Sequence, residues 1–197
     1  MREDFFDIIK SIDFEDYGSF RLLRAAWSEE NLTLWLEVAD DYRPDLNPHW
    51  KVVCTGVREE SLSLGAHDDI SLSRDHVLLW PHAARQTSTS FYGKGKDAHA
   101  VVGALYQRHQ ELAGEWLPLH RFLNPNISNL TKLIAGGFGM LAEGPEPLIL
   151  AYEEVMQQYG FLTSHLEPRP SLQRAALSVL MLDDSYIVAE RFKAEPF

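Results

Sequence analysis

The sequence predicts an α+β fold, an antiparallel curved sheet or open barrel made by the N-terminal half and a C-terminal hairpin, with about three helices grouped on one side. Three observations carry this. Apolar residues between 19 and 80 fall in short runs, several alternating with polar ones, and turn residues separate the runs. From Asp97 to Gly160 the apolar period lengthens to that of a helix. The last apolar run, 177–192, is broken by the turn sequence Asp183-Asp184-Ser185. At 197 residues the chain fits one domain, 1–197, sheet-rich over 13–92, helical over 97–165 and closed by a returning hairpin over 172–193.

The elements follow in order. Residues 3–12, with Phe5, Phe6, Ile8, Ile9 and Ile12, read as a short amphipathic helix. Residues 19–27 and 32–39 flank Ser28-Glu29-Glu30-Asn31, a four-residue loop suited to a hairpin. That register pairs Trp27 with Leu32, Ala25 with Leu34 and Leu23 with Leu36 on one face, and Arg24 with Trp35 on the other. After the Pro-punctuated stretch 40–48, Trp50 to Arg58 alternates as a strand. Residues 61–64 and 70–73 read as a second hairpin around Gly65-Ala66-His67-Asp68-Asp69, and 76–80 as a further strand stopped by Pro81.

The helical part opens with Asp97 as N-cap, followed by the stripe Ala98, Val101, Val102, Leu105, His109, Leu112 and Trp116. A short helix near 128–135 has Ser128 as candidate cap and stops at Gly136-Gly137. Pro145, Glu146 and Pro147 suit a first turn, and Leu148, Ala151, Tyr152, Val155 and Tyr159 form the apolar face of the helix that Gly160 ends. The Gly-rich run 136–145 reads as a tight connection, or as a backbone-lined cleft. Residues 166–170, with Pro168 and Pro170, form a break. A helix over 172–182 with a single following strand is the alternative to the C-terminal hairpin.

Composition limits the function. Acidic residues number 29 and basic ones 18, a net charge of −11. Nucleic acids and anionic membrane surfaces select basic faces, so neither is an expected partner. The surplus lies at both ends, with 14 acids against 7 bases in 1–60, 6 against 7 in 61–135 and 9 against 4 in 136–197. One cysteine, Cys54, excludes an internal disulfide and a cysteine-built metal cluster, and its strand neighbours predict a buried thiol. With no secretory leader or long apolar span in the sequence, the expected location is cytoplasmic.

Catalytic patterns are sparse. The histidines His67, His76 and His82 offer ligand chemistry without metal-site spacing, so no metal or other cofactor is expected. There is no Gly-x-Ser-x-Gly elbow, and Gly93-Lys94-Gly95-Lys96 lacks the length of a phosphate-binding loop. His109 interrupts an apolar stripe and reads as an imidazole bonded to backbone.

The leading expectation is therefore a soluble acidic binding protein, of the immunity or antitoxin kind, with a basic protein partner met through Glu29, Glu30, Trp35, Asp40 and Asp41. The alternative is a small-molecule-binding domain or enzyme with a cleft lined by Arg85, His82, Lys94, Lys96 and His99. Oligomeric state is not legible at this level.

Overall fold

A computed structural model describes residues 5–10, 18–40, 42, 48–94, 97–124, 129–169 and 176–197. The fold is α+β, with every strand pair antiparallel and no closed barrel among the described residues. Its contacts divide the chain into two compact units, one of residues 1–79 and 175–197, the other of residues 80–174.

The first unit begins with α1 (Phe5–Ile9) and is otherwise β-rich. Its strands are β1 (Gly18–Ser28), β2 (Asn31–Asp40), β3 (His49–Thr55), β4 (Glu59–Ser61), β5 (Gly65–His67), β6 (Ser71–Ser73), β10 (Ser178–Leu182), β11 (Ser185–Ala189) and β12 (Arg191–Pro196). A five-stranded sheet has the order β12-β3-β2-β1-β5, and a four-stranded sheet the order β4-β11-β10-β6. The paired ribbon of β3 and β12 runs on into that of β4 and β11, leaving one sheet for the other at Gly56 and Glu190. Gly56 turns this corner at a φ of +66°, a left-handed conformation that favours glycine. Apolar residues of both sheets feed one core, including Leu22, Leu34, Leu36, Val52, Cys54, Leu180 and Ile187, with Phe5 and Ile8 of α1.

The first hairpin has the expected register over most of its length. Trp27 faces Leu32, Ala25 faces Leu34 and Arg24 faces Trp35, and only Glu29 and Glu30 lie between the paired Ser28 and Asn31. The Arg24 guanidinium carbon sits 4.7 Å from the centre of the Trp35 ring. Leu23 does not face Leu36, because a β-bulge makes Leu23 the extra residue and Leu22 takes that partner. The C-terminal hairpin forms from β10 and β11 around Asp183-Asp184, so the helical alternative fails over 178–182, while 172–175 lie outside the described residues.

Two expectations in this unit are corrected. Residues 61–64 and 70–73 do not pair with each other: β4 pairs with β11, β6 with β10, and β5 with β1. The C-terminal hairpin is inserted between the two runs, a long-range pairing that local alternation does not reveal. Residues 76–80 are not a strand but a 3-10 turn, Val77–Leu79, leading into α2 (Trp80–Ala83) of the second unit. His76 sets the turn, its ring accepting from the Leu78 amide and its carbonyl from the Leu79 amide. Pro81, read as a stop, sits in the first turn of a helix, where its missing N–H costs nothing.

The second unit holds β7 (Gln86–Tyr92), α3 (Ala98–Ala113), α4 (Leu130–Gly136), β8 (Phe138–Pro145), α5 (Glu146–Gln158) and β9 (Leu162–Arg169). Its sheet has the order β8-β7-β9. α5 packs on all three strands, α3 on α5, and α4 on α3 and β8, so the helices gather on one face. Asp97 caps α3, accepting from the amides of His99 and Ala100. The cap of α4 is Asn129, which accepts from the Lys132 amide; Ser128 lies outside the described residues.

All three strands here escaped reading as individual strands in the sequence, β7 included. The Gly-rich run becomes β8 rather than a loop, because its glycines let other groups approach closely. A Cβ on Gly139 would lie 2.6 Å from Leu133, and one on Gly144 would lie 2.5 Å from Phe122. The expected break at 166–170 lies mostly inside β9, an edge strand that tolerates Pro168.

Candidate functional site

Net charge divides by unit. The β-rich unit holds 21 acidic residues against 10 basic, and the second unit 8 against 8. The whole excess of −11 thus belongs to the first unit. Several of that unit's bases are engaged within it. Arg24 lies over Trp35, Arg58 pairs with Glu190 at 2.5 Å, and Lys51 with Glu195 at 3.4 Å. Glu29, Glu30, Asp68, Asp69 and Asp184 are exposed, and none makes an ion pair among the described residues.

The register divides the acidic candidates between two ends of the five-stranded sheet. Glu29 and Glu30 form the turn at one end of β2, and Asp40 closes the other, about 30 Å away. Trp35 is half-buried midway along the strand. Asp41 lies outside the described residues. Asp40 has company. It pairs with Gly18 of β1, while β5 lies on the other side of β1 with His67 opposite Phe20. That brings Asp68 and Asp69 to the same end, and Asp183 joins them: its carboxylate accepts from the amides of both residues, at 2.8–3.1 Å, and from His67 Nδ1 at 3.2 Å. His67 Nε2 lies 3.0 Å from the Ser63 carbonyl. One carboxylate thereby fixes the loop that presents Asp68 and Asp69 beside Asp184. These residues were missed because the doublets Asp68-Asp69 and Asp183-Asp184 read as turn punctuation.

The ligand-binding candidates do not form one set. Arg85 is exposed at the start of β7, 4.0 Å from Glu146, while Lys94 is exposed beyond its far end, about 20 Å along the strand. His99 is exposed in the first turn of α3, His82 is half-buried in α2, and Lys96 lies outside the described residues. A shallow polar cleft between α3 and α5 has one cation, Arg108, already bonded to Glu111 at 3.2 Å and Glu154 at 3.6 Å. No group of three or more His, Cys, Asp or Glu side chains among the described residues is arranged to hold a metal ion.

Two polar chains in the second unit resemble catalytic arrangements. His165 places Nδ1 3.1 Å from Glu153 and Nε2 3.1 Å from the Thr87 hydroxyl, the order of a carboxylate, base and nucleophile. The Thr87 hydroxyl is also within hydrogen-bond reach of the Leu166 carbonyl, and Thr87 is buried. The chain ties β9 to α5 and β7. His109 is fully buried, with Nε2 2.5 Å from the Leu117 carbonyl and Nδ1 2.6 Å from the Tyr152 hydroxyl. This is the backbone-bonded imidazole that the sequence suggests. Burial pushes the Tyr152 phenol above its ordinary pKa, which keeps it a donor.

No helix among the described residues is long and apolar enough to cross a membrane. No protein-family model, curated protein or solved structure matches this chain.

Proposed function

We propose that the chain is a non-enzymatic binding protein whose partner is a basic protein, a relation like that of an immunity or antitoxin protein to its toxin. The observation that supports this reading is the segregation of charge: the whole excess of −11 falls in the β-rich unit, while the second unit is balanced. A field concentrated on one unit steers a cationic surface toward it and speeds encounter. The docking surface is assigned to the end that carries Asp40, Asp68, Asp69 and Asp184, because the last three are exposed and the Asp183 carboxylate fixes the loop of Asp68 and Asp69.

The test is affinity capture from a lysate of the source organism with the wild-type chain and with D68K/D69K/D184K. The reading expects a strongly basic protein retained by the wild type and lost with the triple reversal. A retained partner that is neutral or acidic, or equal retention by the variant, overturns it. A parallel E29K/E30K variant assigns the contact to one end of the sheet or the other.

A further inference from the structure

The helices of the second unit cover one face of its sheet and leave the other open. Cross-strand register arranges that open face in three rows: Phe138, Tyr92 and Leu162; then Met140, Ser90 and Ser164; then Glu143, Ser88 and Leu166. Tyr92, Phe138 and Leu162 are about 70% exposed, Leu166 57% and Met140 39%. The centre strand thus contributes two serines between apolar walls on β8 and β9, a trough about 10 Å across that Tyr92 closes at one end. The five apolar side chains expose on the order of 500 Å² together, large for a contiguous apolar patch on a monomer.

We infer that this face packs against the same face of a second copy of the chain, in a two-fold dimer. Four considerations select that occupant. The surface is self-complementary, since the walls of one copy can fill the serine trough of the other at the roughly 10 Å spacing of face-to-face sheets. Two copies bury about 1,000 Å² from these side chains alone, the lower bound for a specific interface. The charge that opposes self-association lies in the other unit, and these three rows carry one charged side chain, Glu143, which gives a basic partner little to pair with. Strand addition at the sheet edges is obstructed. Phe122 and Leu123 bond along the outer side of β8, and Pro168 offers no N–H from β9.

This dimer is independent of the basic partner, and salt separates the two. Screening weakens attraction between an acidic unit and a cation but relieves repulsion between two acidic copies. Sedimentation velocity on the full chain across the micromolar range, at about 0.1 and 0.5 M salt, tests the inference. The wild type is expected to dimerise, more tightly at the higher salt. F138T/L162T should weaken the dimer at least about tenfold, because it removes two of the five apolar contacts. S164R places a charge in the middle row at an exposed position, so it should abolish the dimer while leaving the monomer folded, with an unchanged circular dichroism spectrum and melting temperature. W27T, at an exposed tryptophan of the other unit, should change nothing. A wild type that stays monomeric throughout overturns the inference, as does a dimer that S164R leaves intact.

Discussion

Removing the Tyr152 hydroxyl should cost far more than one oxygen atom suggests. His109 and Tyr152 are both fully buried. The Leu117 carbonyl only accepts, so His109 Nε2 carries the proton, and Nδ1 takes the hydrogen of Tyr152 at 2.6 Å. Tyr152→Phe keeps the ring and leaves Nδ1 buried without a donor, a cost of about 1–3 kcal/mol. His109→Leu orphans two groups, the Tyr152 hydroxyl and the Leu117 carbonyl, for about twice that cost. The double variant orphans only the carbonyl. Its destabilisation should therefore fall short of the sum of the two single changes by two such costs, about 2–6 kcal/mol. Urea unfolding followed by tryptophan fluorescence and by circular dichroism measures all four corners of the cycle. Additive costs, or a loss below about 0.5 kcal/mol for Tyr152→Phe, would refute the assigned pairing.

Other outcomes follow from the same structure. Burial raises the Cys54 thiol from 9.0 to about 12, so it should react with a disulfide reagent far more slowly than a free thiol peptide. Between those two values the unfolded chain has lost a proton that the folded chain keeps. The Cys54 contribution is thus full below pH 9 and falls by about 1.4 kcal/mol per pH unit above it, a loss that Cys54→Ala should remove from an alkaline stability profile. Gly137→Ala combines a φ of +80° with a Cβ 2.5 Å from a backbone oxygen, while Gly160→Ala has a φ of +85° and open space. Denaturant titration should show a loss of about 1 kcal/mol at Gly160 and clearly more at Gly137. A chain that behaves as one domain should melt in a single calorimetric transition whose enthalpy equals the van't Hoff value, and two resolved transitions would make the units independent.

Local chemistry was legible wherever one side chain decides a local geometry. The short turn after Trp27 fixed the pairing of Arg24 with Trp35, Asp97 announced the start of α3, and Gly137 the end of α4. What escaped depends on partners distant in sequence. β4 and β6 are three-residue strands that exist because β11 and β10 pass between them. β8 has glycines where strand propensity asks for β-branched residues, and at Gly139 and Gly144 the side chains of Leu133 and Phe122 occupy the space a Cβ would take. The site shows the same division. Composition exposed the acidity, and Glu29 and Glu30 lie in the turn that was expected. Asp40 lies at the other end of β2 from that turn. The neighbours that Asp40 does have, Asp68, Asp69 and Asp184, come through the β1–β5 pairing and the Asp183 carboxylate, which no local pattern encodes.

The most direct test of the account is the association rate of the captured basic partner with the purified chain, measured by stopped flow from about 0.05 to 0.5 M salt. Screening acts beyond roughly 8 Å at physiological ionic strength, so a steered encounter slows steeply as salt rises. The account predicts that slowing for the wild type, and a D68K/D69K/D184K chain that associates more slowly with a flatter salt dependence and a nearly unchanged dissociation rate. An association rate indifferent to salt and to the three reversals would contradict it and leave the acidity of the β-rich unit with no part in recognition.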